Sequence, residues 1–148
     1  MGRFARLVVV IAGALCFAAA AAAEGAAVKV YKTPTCGCCT KWVEHLEANG
    51  FRVQSVVLPD LSHLKQSNGI SPRLASCHTA FVDGYVIEGH VPAQDIERLL
   101  EERPQVAGLT VPRMPIGSPG MEGPNPVRYD VLTFDVSGKT AVFATHGP

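Results

Sequence analysis

The sequence has no excess charge of either sign. Its 13 lysines and arginines balance 13 aspartates and glutamates over 148 residues. Removal of residues 1–23, with two of the arginines, leaves 11 basic residues against 13 acidic ones. A protein that binds the phosphates of nucleic acid needs a strongly basic face. The composition therefore predicts that nucleic acid is not a partner.

The sequence also has no apolar run suited to a permanent membrane anchor. The run from Leu7 to Ala23 is rich in alanine and falls short of the roughly 20 strongly apolar residues that span a bilayer. Arg3 and Arg6 precede it, and Ala21–Ala23 ends it with small residues. This is the pattern of a cleaved signal peptide. We predict a signal peptide over residues 1–23 and a periplasmic domain over 24–148 with no membrane segment.

Cysteine is concentrated in one short stretch, and its distribution argues against a structural role. Of the five cysteines, Cys16 leaves with the predicted signal, and Cys36, Cys38, Cys39 and Cys77 remain. A domain of this length builds an adequate core without disulfide bridges. A bridge within the first three closes a very short loop, which constrains the unfolded chain little. We therefore interpret these cysteines as reactive or metal-binding thiols and not as structural bridges.

Hydrophobic periodicity predicts alternating strands and helices. Strands are expected at residues 28–31, 51–58, 79–82 and 85–88, and helices at 39–49, 61–68 and 92–103. Asp83-Gly84 is a strong signal for a two-residue hairpin. This order predicts an α/β fold, a thioredoxin-like sandwich with a central mixed sheet and flanking helices.

The last third of the chain has a different composition. Residues 104–126 are rich in proline and glycine and show no periodicity, which predicts a long loop, and a long ordered loop is often functional. Residues 129–134 and 140–144 are expected to form a C-terminal hairpin. There are no internal repeats.

Three thiols lie within four residues, at the predicted start of the first helix. Cys36 and Cys39 have the spacing of a redox dithiol, and Cys38 adds a third sulfur that a dithiol does not need. A helix N-terminus favours the thiolate. Close thiolates repel one another, and oxidation to a disulfide or binding of cations relieves the repulsion. The pattern thus permits redox chemistry or metal binding.

The segment before the third strand lacks proline. Thioredoxin-like folds usually carry a cis-proline there, beside the dithiol, but residues 76–79 contain none. Cys77-His78 occupies the place instead. We expect these residues to offer a fourth sulfur and an imidazole to the same site.

Further soft ligands are scarce but suggestively placed. Met114 and Met121 both lie in the proline- and glycine-rich segment, and His90 precedes the last helix. Thioether, thiolate and imidazole together select Cu(I). By contrast, His45 and His63 are predicted to lie on solvated helix faces.

Four stretches together resemble a known family. They are Lys32–Cys39, Ser76–Ala80, Asp83–Pro92 and Met114–Glu122. In these stretches the chain resembles the exported, thioredoxin-like copper-resistance proteins called CopG. The resemblance implies that cysteine sulfurs bridge copper, with a role in changing its oxidation state. By position it implies sulfur ligands at Cys36, Cys38, Cys39 and Cys77, with neighbouring ligands at Met114, Met121, His78 and His90.

Three functions follow as hypotheses. The first is a periplasmic copper-tolerance protein that holds more than one Cu(I) per chain and works with other periplasmic copper-handling proteins. The second is a thiol-disulfide oxidoreductase with Cys36 as nucleophile and Cys39 as resolving thiol. The third is a four-cysteine zinc or iron–sulfur protein. Whether the protein is an enzyme is left open by the sequence.

Overall fold

The computed structural model describes residues 25–148, which form seven strands and three helices. The strands are β1 (Ala27–Lys32), β2 (Arg52–Val57), β3 (Thr79–Val82), β4 (Tyr85–Glu88), β5 (Gly108–Thr110), β6 (Tyr129–Phe134) and β7 (Thr140–His146). The helices are α1 (Gly37–Ala48), α2 (Ser62–Ser67) and α3 (Ala93–Glu102). The expected signal peptide lies outside the described residues, so its cleavage stays a prediction.

All seven strands belong to one mixed sheet in the order β2-β1-β3-β4-β5-β6-β7. Strand pairs β1/β2 and β4/β5 are parallel, and the other four neighbouring pairs are antiparallel. The β3–β4 turn has positive φ at both Asp83 (47°) and Gly84 (87°), as a tight primed hairpin requires. The predicted α/β architecture with a mixed sheet is confirmed.

Helices α1 and α3 cover one face of the sheet. Trp42 and Leu46 of α1 and Ile96 and Leu99 of α3 are fully buried in the main core. The strands contribute alternate residues to this core, among them Ile87 of β4. The segment after α2 packs on the opposite face, where Ile70 and Leu74 meet Val86 and Phe134. The alternation follows from the two-residue period of a strand.

The expectation that residues 104–126 contain no strand is wrong at β5. Gly108–Thr110 pairs with β4 and with β6 and so joins the two halves of the sheet. Three residues are too few to show an alternating pattern, and these are buried on both faces.

The C-terminal hairpin is confirmed as β6 and β7, which end at His146. Within residues 25–148, no helix is both long and apolar enough to cross a bilayer.

Candidate metal centre

The site begins at the N-terminus of α1, where β1 ends and the chain turns. Cys36 directly precedes the helix, and Cys39 is fully buried in its first turn. These two residues form a disulfide with a Cα–Cα distance of 5.3 Å. Cys38 remains a free thiol between them. The dithiol spacing seen in the sequence therefore corresponds to an actual bridge, and the third sulfur stands beside it.

Cys77 supplies the fourth sulfur from a distant part of the chain. Its Sγ lies 3.7 Å from Sγ of Cys38, which lies 3.6 Å from Sγ of Cys36. The ligand atoms of all four cysteines fall within 4.8 Å of one another. The structure thus brings together the four sulfurs singled out from the sequence, although 39 residues separate Cys38 from Cys77.

His90 joins the same cluster through a fixed ring orientation. Its Nε2 lies 2.9 Å from Sγ of Cys77, and its Nδ1 lies 2.7 Å from the carbonyl oxygen of Pro119. A carbonyl only accepts hydrogen bonds, so Nδ1 is the protonated nitrogen. The lone pair of Nε2 then points at Cys77, which is the orientation that a metal-ligating histidine needs.

His78 is buried under the cluster. Its Nδ1 lies 3.4 Å from Sγ of Cys77, and its ring stacks at a tilt on Trp42 with the centroids 4.3 Å apart. Its Nε2 is buried without a hydrogen-bond partner among the described residues. A buried nitrogen without a partner is costly. The nitrogen that faces the thiol is Nδ1, so Nδ1 is the atom that would bind a cation beside Cys77.

Burial favours the uncharged forms of Cys77, His78 and His90. Desolvation, followed by the proximity of Cys38, raises the pKa of Cys77 to about 12. Burial lowers the pKa of His90 and, together with the nearby charges of His90 and Lys65, lowers that of His78 well below its usual value. Neutral imidazoles beside sulfur are soft donors. The donor set therefore fits a soft metal ion, which would displace the thiol proton on binding.

The end of β4 holds the Cys77 segment in place. Backbone N–H of Ser76 donates to Oε1 of Glu88 at 2.6 Å. The carbonyl of His78 accepts from the N–H of Gly89 at 3.0 Å, and His90 contacts Cys77 itself. Three consecutive residues therefore bind three consecutive residues of the ligand segment.

Glu88 was not identified from the sequence. It is completely buried and forms an ion pair with Lys65 of α2, with 2.5 Å between Nζ and Oε1. Thr79 donates a hydrogen bond of 2.7 Å to its other carboxylate oxygen. The only available signal was a carboxylate within the otherwise apolar run of β4, Tyr85–Glu88, where an unpaired charge would be costly.

The proline- and glycine-rich segment covers the cluster. A Cβ placed on Gly120 would lie 2.7 Å from the carbonyl oxygen of Cys38 and 2.9 Å from the backbone nitrogen of Trp42. Gly120 also has a φ of +84°, a conformation that glycine adopts without strain. The segment can therefore lie directly against the first turns of α1 because residue 120 has no side chain.

The two methionines have different positions. Met121 follows Gly120 and is partly buried, and its N–H donates to the carbonyl of Ser118 at 2.8 Å. Met114 is 47% exposed and lines a shallow cavity with Val127 and Tyr129. The structure therefore places Met121 beside the covering contact but does not bring Met114 into the cysteine and histidine cluster. Ligation by either thioether stays a prediction.

The expectation that His45 is solvated is wrong. Its Nε2 accepts a hydrogen bond of 3.1 Å from the N–H of Ala93, at the start of α3. Burial lowers the pKa of His45, against an opposing effect of Glu122. His45 thus ties α1 to α3 beside the site, whereas His63 is exposed on α2 as expected.

Four sulfurs and two imidazoles gathered at one end of the sheet give this α/β protein the donor set of a metal-binding protein. Two solved structures titled "Copper resistance protein copG", Form 1 and Form 2, match it with a TM-score of 0.79 and 44% identity. Each match covers 84% of this chain and 100% of the other. The chain belongs to the CopG copper resistance protein family, which confirms the resemblance inferred from the sequence.

A family model gives a second match. Residues 74–121 match the family described as "Protein of unknown function, DUF411". This range includes Cys77, His78, His90, Met114 and Met121. No curated protein sequence matches the chain.

Proposed function

We propose that the protein is a periplasmic copper-binding protein of copper tolerance, which holds Cu(I) between the thiolates of Cys36, Cys38, Cys39 and Cys77. The observation that carries this proposal is the continuous contact from Cys36 through Cys38 to Cys77 and on to Nε2 of His90. Sulfurs placed this closely can be shared between metal ions. We therefore propose more than one copper ion per chain.

The disulfide gives the site two states. When Cys36 and Cys39 are bonded, the two free thiols are Cys38 and Cys77. Reduction of the bridge adds two electrons and two protons and returns two further thiols to the site. The reduced protein offers four sulfurs to soft cations and the oxidised protein offers two. This coupling supports a role in which copper binding, and conversion between Cu(I) and Cu(II), responds to the thiol redox state.

The residues around the sulfurs have separate tasks in this proposal. His90 presents Nε2 to the site because Pro119 holds its other nitrogen. His78 offers a neutral nitrogen from the buried side. The segment that contains Gly120 lies against α1 and limits access of water. Met121 and Met114 would add thioether ligands if the segment adjusts around the metal.

Anaerobic titration of the fully reduced protein with Cu(I), against a chelator that forms a coloured Cu(I) complex, tests the proposal. We expect more than one copper per chain, and fewer when Cys38→Ser or Cys77→Ser is introduced. His63→Gln is the matched control, because His63 is exposed on α2. A stoichiometry of zero would exclude the proposal. Elemental analysis of protein from cells supplied with copper, zinc and iron separates copper from a zinc or iron–sulfur site.

A second candidate function is thiol-disulfide exchange. The bridge between Cys36 and Cys39 at the start of α1 favours it, since the helix N-terminus stabilises an attacking thiolate at this position. In that case Cys36 attacks a substrate disulfide and Cys39 resolves the mixed disulfide. Reductase activity that survives Cys38→Ser and Cys77→Ser together would favour this function over copper binding.

We also propose export to the periplasm and handover of copper to other copper-handling proteins there. The support for export is the sequence pattern of residues 1–23. Cell fractionation and N-terminal sequencing test this point. We expect the mature protein in the periplasmic fraction, with Glu24 as its first residue.

A further inference from the structure

The buried carboxylate of Glu88 accepts a hydrogen bond from Ser76, the neighbour of Cys77, and its other hydrogen-bond partners among the described residues are Lys65 and Thr79. Its side chain is 0% exposed, and that of its partner Lys65 is 15% exposed. Burial of such a pair is costly, and replacing it with apolar side chains often leaves stability unchanged or improved. Stability alone is therefore a weak reason for its presence.

The hydrogen bonds of the pair reach the two residues that flank Cys77 and His78, namely Ser76 and Thr79. Oε1 of Glu88 accepts from the backbone N–H of Ser76 at 2.6 Å and from Lys65 at 2.5 Å. Oε2 accepts from Thr79 at 2.7 Å, and Thr79 accepts from Lys65 at 3.0 Å. Both oxygens of the carboxylate are therefore held by hydrogen bonds.

Ser76 directly precedes Cys77 in the chain, so a shift of the Ser76 backbone also moves the Cys77 thiol. The Ser76–His78 segment lies outside regular secondary structure and depends on such contacts for its conformation. Arg113 adds a bond of 3.0 Å from its N–H to the carbonyl of Ala75. Sγ of Cys77 lies 3.7 Å from Sγ of Cys38.

We propose that Glu88, held by Lys65 of α2, is a positioning residue that sets the distance between the thiols of Cys77 and Cys38. This inference deepens the proposed copper function, and its metal relevance rests on that function. In this proposal α2 contributes to the site through Lys65. Helix α2 has no fully buried residue of its own, so packing in the core does not explain its position.

The test measures thiol placement without copper. In a Cys36→Ser/Cys39→Ser background, Cys38 and Cys77 are equilibrated with glutathione disulfide under chelator. One S–S bond forms between the two cysteines, and glutathione disulfide takes up their two electrons and two protons as two glutathione thiols. The equilibrium constant gives the effective concentration of one thiol at the other.

Two double variants isolate the hydrogen bond to Ser76. Glu88→Gln/Lys65→Met keeps an acceptor for the N–H, whereas Glu88→Leu/Lys65→Met removes it, and both lack the charges. We expect the Gln variant to stay within about threefold of its parent and the Leu variant to fall about tenfold in effective concentration, the size expected when a buried N–H is left without its acceptor. Urea unfolding of both variants reports stability separately.

Equal effective concentrations in the two variants would overturn the proposal, even if their stabilities differ. If the Leu variant does not fold, Glu88→Asp replaces it, because it keeps the charge and withdraws the carboxylate by one methylene. An unchanged value in Glu88→Asp overturns the proposal equally. Failure of the parent itself to form the disulfide would contradict the placement of the two thiols.

A parallel titration with Cu(I), in the native cysteine background, separates the two proposals. We expect the Leu variant to bind at least about tenfold more weakly than the Gln variant. If the unsubstituted protein binds no copper, the proposed function fails, while the glutathione equilibrium still decides the role of Glu88.

Discussion

Nε2 of His90 lies 2.9 Å from Sγ of Cys77, while Nδ1 of the same ring is held by the carbonyl of Pro119 at 2.7 Å. The ring therefore links the cysteine cluster to the segment that covers it. Neither contact is local in sequence, since 13 residues separate His90 from Cys77 and 29 separate it from Pro119. A change at His90 should affect both the ligand set and the covering segment.

Replacement of His90 by Gln should weaken Cu(I) binding by about 10- to 100-fold, the usual cost of losing an oriented group in or next to a metal site. Competition with a Cu(I) chelator measures the affinity of the reduced protein. His63→Gln should leave it unchanged because that side chain is exposed on α2. An affinity in His90→Gln equal to that of the unsubstituted protein would remove His90 from the site.

Gly120→Ala should lower the free energy of unfolding by more than about 2 kcal/mol. The new Cβ would collide with backbone atoms of Cys38 and Trp42, and a non-glycine residue at positive φ adds roughly 1–2 kcal/mol of strain. Gly138→Ala is the matched control, because Gly138 has a similar φ of +80° and a Cβ added there would meet no atom within 4 Å. Equal losses in urea unfolding of the two variants would show that the covering segment does not depend on this contact.

Mild acid should destabilise the metal-free protein through His78. Burial lowers the pKa of His78 in the folded state well below 6.5, so below that pH the unfolded chain binds a proton that the folded protein does not. The contribution of His78 to the free energy of unfolding is therefore full above pH 6.5 and is lost as the pH falls below it. The loss is at most about 1.4 kcal/mol per pH unit from this one group.

Urea unfolding under chelator at pH 7.5 and 5.5 measures the effect. His78→Gln removes the titrating group. The free energy of unfolding of this variant should therefore fall less between pH 7.5 and 5.5 than that of the unsubstituted protein. The variant is needed because Glu88, whose pKa burial raises, acts in the opposite direction where it titrates. Identical pH dependence in both proteins would exclude His78 as the cause.

Reduction of the Cys36–Cys39 bridge should cost the fold little. The bridged residues are only three apart in sequence, and closing so short a loop stabilises by about 2 kcal/mol at most. Urea unfolding with and without reductant, both under chelator, measures the difference. The Cys36→Ser/Cys39→Ser protein, kept anaerobic so that Cys38 and Cys77 stay as thiols, should show no response to reductant. Loss of cooperative unfolding on reduction would show instead that the bridge is a structural support.

The strands, helices and hairpin could be predicted where the signal is local. The Asp83-Gly84 turn predicted β3 and β4, whose bounds Thr79–Val82 and Tyr85–Glu88 match the expectation. Their residues select a tight turn and an extended backbone without help from the rest of the chain. β5 could not be predicted, because three buried residues acquire strand geometry only by pairing with β4 and β6.

The site divides in the same way. The sequence by itself determined that three thiols start a helix and that a fourth thiol with an imidazole precedes a strand, because residue type and spacing are local properties. The expected meeting of Cys77 with the first cysteines took its geometry, a 3.7 Å contact with Cys38, from the tertiary structure. Only the tertiary structure decided that Glu88 pairs with Lys65 and that His45 is bound to α3. These contacts join residues far apart in sequence, and their geometry is set by strand pairing and helix packing, which no local pattern encodes.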